Sequence, residues 1–172
     1  MPGQHPSGGK GQVPRPIVVT TGVGEGPTPM AAFDAALLDA GIANYNLIYL
    51  SSVIPAGSAI RRAKFESIDE HYGHRLYVVI ARHDQQRPGE FAWAGLGWTQ
   101  EAGRGRGLFV EVHGPLRAEV EAEIHTTLDF MKAKRSHPYG EVDCEIAGIE
   151  CRGRPVCALA VAVYQSQGWE HA

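Results

Sequence analysis

The sequence has little that would tie it to a membrane, a polyanion or a disulfide framework. No apolar run in its 172 residues approaches the roughly 20 needed to span a bilayer. Charge of one sign is scarce: 16 basic residues against 19 acidic ones leave a formal net charge of −3. That balance excludes a protein whose main work is neutralising phosphate backbones. Cysteine is sparse too, and three of them, an odd number, do not make a disulfide scaffold. Residues 1–15 are rich in Gly, Pro, Gln and Ser and have no apolar h-region, so they read as a disordered tail and not as a secretory signal. Expected, then, is a soluble cytoplasmic protein with one domain over residues 16–172, no nucleic-acid partner and no membrane partner.

Periodicity supplies the elements. Pro16–Thr21 is a β-branched run that reads as a strand, and Gly22, Gly24 and Gly26 then suggest a glycine-rich turn up to Thr28. Thr28 followed by Pro29 is a helix start, and Gly41 is its stop. Asp34 shares a helix face with Met30 and Leu37, which directs its carboxylate toward apolar neighbours. Further strands are expected over Asn44–Leu50, Arg75–Ala81, Phe91–Trp98 and Leu108–His113. If the first of these stays extended, Asn46, Ile48, Leu50 and Ser52 alternate onto one face. Leu116, Val120, Ile124, Leu128 and Met131 form a helical stripe. Val142–Cys151 and Pro155–Tyr164 read as a closing strand pair turned at Gly153, the second buried on both faces. Two helices against about seven strands predict an α+β sandwich.

Few residues carry a chemical signal by spacing alone. A strand, alternating glycines and a helix suggest a dinucleotide cradle, but the next strand ends in Ser51-Ser52 and offers no acid for a ribose. Glu25 in the turn would also repel a phosphate, so a turn docking the helix onto the sheet is the better reading. Ser51-Ser52 is either ordinary turn chemistry or a self-cleaving pair. In the second case the Ser52 hydroxyl attacks the carbonyl before it, β-elimination cuts the resulting ester, and the dehydroalanine hydrolyses to a pyruvoyl group. A nearby amide, Asn46, would polarise that carbonyl. Glu111 is either a solvent-facing strand residue or a partly desolvated acid able to give up a proton near neutrality. Cys144, Cys151 and Cys157 lack zinc spacing, and with the scattered histidines they carry no metal signature. Arg61, Arg62 and Lys64 read as a solvated loop.

Gly22–Ile42 and Asn44–Pro55, with Gly107–Gly114 and the alanine-rich strand from Cys157 to Tyr164, closely resemble the pyruvoyl-dependent arginine decarboxylases. The resemblance covers nearly everything after the tail. It implies an αββα sandwich, a β chain ending at Ser51, an α chain beginning with a pyruvoyl group made from Ser52, and trimers of αβ units with active sites between neighbours. It also implies decarboxylation of arginine to agmatine through a Schiff base, without pyridoxal phosphate or a metal. By position, Asn46 matches the residue assisting self-cleavage and Glu111 the proton donor. Asp34 matches the carboxylate that meets the guanidinium. Val53 stands where the family carries isoleucine beside the pyruvoyl group. Two other readings stay open: the same chemistry on another amino acid, and a binding or assembly protein of this fold that never cuts itself.

Overall fold

A computed structural model describes residues 15–169. Most of the expected tail, residues 1–14, lies outside them, as do residues 170–172; Arg15 already belongs to a strand. The order is β1 (Arg15–Glu25), α1 (Pro29–Ala40), β2 (Asn46–Tyr49), β3 (Val53–Ile54), β4 (Ser58–Arg62), β5 (Arg75–Gln85), β6 (Phe91–Gln100), β7 (Gly107–Gly114), α2 (Arg117–Ala133), β8 (Asp143–Glu150) and β9 (Val156–Gln167). One sheet runs β2-β5-β9-β1-β4 and the other β3-β7-β6-β8. Neither helix is long and apolar enough to cross a membrane.

Three apolar layers hold the two sheets and two helices together as the αββα sandwich expected. Between the sheets lie Ile17, Val79, Ala81, Leu96, Phe109, Ala158, Ala160 and Ala162, all buried. The other face of the five-stranded sheet takes α1, through Ala32, Ala36, Leu37 and Ala40 against Val78, Leu159 and Val161. On the four-stranded sheet, Val120, Ile124 and Leu128 of α2 are buried against Leu108 and Val112. β9 is covered from both sides, which explains why Val156–Val163 reads as one continuous apolar run.

The glycine-rich stretch departs from expectation. Gly22 and Gly24 continue β1, which pairs with β9 as far as Glu25, and the chain turns only after them. Their lack of side chains serves a close approach: a Cβ on Gly22 would lie 2.1 Å from the Ala36 carbonyl oxygen, and one on Gly24 would lie 2.4 Å from the Ala36 nitrogen. Glycine on the strand and alanine on the helix thus bring backbone against backbone. The helix ends do follow their local signals. Thr28 accepts from the Ala31 N–H at 3.1 Å, and Gly41 closes the helix at φ 84°.

Two further expectations change. The segments Val142–Cys151 and Pro155–Tyr164 do not pair with each other: β8 borders β6 in one sheet while β9 is central in the other. The basic run is not a loop of free charges: Arg61 and Arg62 lie on β4, and Arg62 and Lys64 are tied to partners. Arg62, on β4, pairs with Asp143 and with Glu145 at 2.9 Å, and its guanidinium lies over Trp98. Lys64 donates to the Asp39 carbonyl at 2.7 Å, near the negative end of α1.

Candidate active site

β3 is only two residues long, and it pairs antiparallel with the start of β7, Val53 opposite Leu108 and Ile54 opposite Gly107. That pairing sets the backbone just before it. The Phe109 N–H donates to the Ser52 carbonyl at 2.8 Å, and the Val53 N–H donates to the Ser51 carbonyl at 2.6 Å. The second bond spans three residues and makes a tight turn centred on Ser52. One residue further, the Tyr164 hydroxyl donates to the Val53 carbonyl at 3.0 Å.

Glu111 follows Phe109 by two positions, so both point from β7 toward the five-stranded sheet. There the Ser52 hydroxyl lies 2.6 and 2.7 Å from the two carboxylate oxygens of Glu111, in a half-buried setting. Both distances suit a short charge-assisted hydrogen bond with the hydroxyl as donor. Burial, and secondarily the Glu111 charge, push the Tyr164 phenol well above its ordinary value. It therefore stays protonated and able to donate at any physiological pH. Its ring meets Phe109 edge-on at 6.2 Å, beside a small cavity of about 180 Å³ lined by Leu50, Tyr77, Tyr164 and Gln165.

The other expected residues lie elsewhere in the chain. Asn46 opens β2, and its amide donates to the Gly73 carbonyl at 2.7 Å, which the Trp169 indole N–H also reaches at 2.9 Å. The alternation that was to align Asn46 with Ser52 stops at Tyr49, because the chain leaves the strand and turns at Ser52. Asp34 is exposed on α1, since the buried stripe Ala32, Ala36, Leu37 and Ala40 turns it outward. Its apolar neighbours Met30 and Leu38 are themselves 68% and 61% exposed, so they do not shield it within one chain. The five-stranded sheet separates α1 from the inter-sheet face on which Glu111 stands. Val53 is exposed and borders a cavity of about 270 Å³ shared with Arg106, Arg135 and His137. A larger cavity of about 540 Å³, between residues 57–60 and 100–105, holds none of these groups.

The profile of the family described as pyruvoyl-dependent arginine decarboxylase (PvlArgDC) matches residues 16–168. The chain belongs to that family. It is 34% identical over 156 residues to a pyruvoyl-dependent arginine decarboxylase of Thermococcus sibiricus, covering 87% of this chain and 94% of that one. A protein of the same name from Halobacterium salinarum is 46% identical over 95 residues, 55% of this chain and 58% of the relative. Another, from Pyrococcus furiosus, is 31% identical over 156 residues. For a pyruvoyl-dependent family the informative cluster is Ser51, Ser52 and Glu111, which the fold joins across 59 residues of sequence. Tyr164 and the backbone N–H groups of Val53 and Phe109 belong to the same cluster, and sequence patterning did not single them out. The one signal for Tyr164 is its place as the first polar tip after an unbroken apolar run.

Proposed function

We propose that this chain is a self-processing decarboxylase that cuts itself between Ser51 and Ser52 and then acts on arginine. The observation that carries the reading is the Ser52 hydroxyl held against both oxygens of Glu111. A carboxylate so placed takes the hydroxyl proton as Oγ attacks the Ser51 carbonyl carbon. The new C–O bond forms, the C–N bond to Ser52 breaks, and its nitrogen takes up a proton. Charge builds on the Ser51 carbonyl oxygen during the attack, and the Val53 N–H already donates there. Loss of the Ser52 α-hydrogen then expels Oγ as part of the Ser51 carboxylate. Water finally replaces the residue-52 nitrogen, releasing ammonia and leaving a pyruvoyl group at the head of the α chain.

Once formed, that group supplies a carbonyl that captures the substrate amine and draws off electrons as CO₂ leaves. Glu111, beside residue 52, then serves as the proton donor to the carbon that has lost CO₂. Asp34 suits the guanidinium, whose planar fork a carboxylate matches. Because Asp34 faces away from Glu111 across a sheet, we assign it to the site of a neighbouring copy, in a trimer with its sites between subunits. The exposed Met30, Leu38, Ile48, Tyr49 and Val53 supply apolar surface for such contacts. Asn46, on the edge strand β2, assists cleavage in the same assembly, as its match to the family motif implies.

Intact mass tests the reading directly. Purified protein is expected as two fragments, the larger beginning with a pyruvoyl group, and Ser52→Ala as one uncut chain. CO₂ release is expected with arginine and not with ornithine, lysine or aspartate. A single intact chain from the parent protein would overturn self-processing; release from another amino acid alone would overturn the substrate.

A further inference from the structure

Three hydrogen bonds fix the three consecutive carbonyls of residues 51, 52 and 53. Two of the donors are backbone N–H groups, of Val53 and Phe109; the third is a side chain, the Tyr164 hydroxyl. Besides these bonds the turn is held by the short β3–β7 pairing and by the Ser52 hydroxyl on Glu111. β3 contributes two residues, Ser51 and Val53 are exposed, and the preceding strand ends at Tyr49. We infer that Tyr164 is a positioning residue for self-cleavage, its hydroxyl locking the Val53 carbonyl so that the Val53 N–H stays aimed at the Ser51 carbonyl oxygen. The inference rests on the self-processing reading above and adds a residue to it.

The geometry is specific. The Val53 N–H shares a peptide plane with the Ser52 carbonyl, which the Phe109 N–H holds, and the Val53 carbonyl lies in the next plane, which Tyr164 holds, so the two donors together fix both planes that meet at the Val53 α-carbon. Tyr164 sits on the central strand β9 directly after Val156–Val163, the stretch paired on both edges and buried on both faces, at the bulge where the pairing with β5 passes from Val163 to Gln165. A bulge of this kind re-aims a side chain, here from a buried strand toward a short, exposed one. The hydroxyl makes its bond 111 residues away in sequence, and the ring packs against Phe109, whose own N–H holds Ser52. The Val53 and Phe109 bonds do not depend on a side chain, which leaves Tyr164 as the one member of the set that substitution can remove.

Full-length precursor made by cell-free synthesis is followed on denaturing gels. Tyr164→Phe keeps the ring and loses the donor. Its cleavage rate constant is expected to fall about tenfold, the order of effect when the loss of one neutral hydrogen bond, about 1.4 kcal/mol, lets the attacked carbonyl drift from its donor. The fraction finally cut stays that of the parent. Loss of amplitude at an unchanged rate constant would indicate a merely structural role and overturn the inference. Tyr77→Phe is the control: it removes a phenol from the same cavity, one that bonds Gln167 at 2.8 Å, and is expected to cut at the parent rate. Equal slowing in both variants also counts against Tyr164. Placing 3-fluorotyrosine at 164 keeps the ring and strengthens the donor, so cleavage is expected to outpace the parent. A rate at or below the parent's overturns the assignment even if the phenylalanine variant does not fold. If the parent itself stays uncut, the self-processing reading fails. If the parent cuts and Tyr164→Phe cuts equally fast, only the inference fails.

Discussion

In the proposed mechanism Glu111 does two jobs with one carboxylate, as base in self-cleavage and as proton donor in decarboxylation. Both oxygens face the Ser52 hydroxyl, at 2.6 and 2.7 Å, so the residue is poised to receive a proton before any substrate is present. A glutamine there still offers an oxygen to the hydroxyl but cannot take its proton. Glu111→Gln is therefore expected to slow self-cleavage by roughly 10²–10⁴-fold, the usual contribution of a positioned base. Any chain that does cut should decarboxylate arginine at a similarly reduced kcat. A gel time course reads the first loss and CO₂ release from the isolated cut fraction reads the second; parent-like rates in both would remove Glu111 from the mechanism. Cys157 shows the opposite treatment of a reactive group. Burial, and then the hydrogen bond and charge of Asp84, push its thiol up to about 12, so it is expected to resist iodoacetamide at pH 8 in the folded protein and to react on unfolding. Alkylation of the native chain at Cys157, read by peptide mass, would contradict that.

At the scale of elements, the seating of α1 depends on atoms that are missing. A Cβ on Gly24 would stand 2.4 Å from the Ala36 nitrogen and 2.5 Å from the Ala32 carbonyl oxygen, both backbone atoms that cannot rotate aside. Gly24→Ala is expected to lower stability by about 1–3 kcal/mol in denaturant unfolding, as overpacked sites do. A change within a few tenths would show that α1 gives way freely. The loop joining β6 to β7 depends instead on charge. Glu101, buried at 6% exposure, takes a hydrogen bond and charge from Arg106 and further charge from Arg104, and its carboxyl is held below the usual carboxylate range. A carboxyl lowered by folding stabilises the protein above its unfolded value and loses that contribution as protons are taken up in the fold. Glu101→Gln should thus melt lower than the parent at pH 7, and the gap should narrow as pH falls below about 4.5. A gap constant with pH would mean that the ion pairs carry no stability. The sequence told these two elements apart unevenly. Thr28, Pro29 and Gly41 announce the helix because capping is local chemistry. Gly22 and Gly24 read as a turn because the reason for glycine there, the backbone of α1 at Ala32, Ala36 and Ala40, lies in a different element further along the chain. The same distance problem hid the separation of β8 from β9, since sheet membership is decided by β6 and β1 and not by the turn at Gly153.

At the scale of the molecule, the candidate site divides into two halves that one chain does not bring together. Ser52, Glu111 and Tyr164 gather at one margin of the space between the sheets, while Asp34 lies on the outer side of α1, beyond the five-stranded sheet. Resemblance put Ser52, Glu111 and Asp34 in one site. A single fold recovers only the Ser52–Glu111 half, because the proposed other half is a surface between copies that no intrachain pattern describes. The assignment of Asp34 to a neighbour makes a prediction by complementation. Ser52→Ala copies cannot form the pyruvoyl group but still present Asp34; Asp34→Ala copies cut themselves but lack the carboxylate for the guanidinium. In a cyclic trimer each site takes one half from each of two neighbours. Random mixing of the two inactive variants in equal amounts should then rebuild about one site in four, and about a quarter of the parent activity on arginine. The mixed trimers must be formed by co-expression or by refolding together, since assembled homotrimers do not exchange halves on simple mixing unless they dissociate. Were Asp34 to serve the Ser52 of its own chain, every site in every mixture would lack one group or the other. Activity would then stay at the level of the separate variants however the subunits were combined.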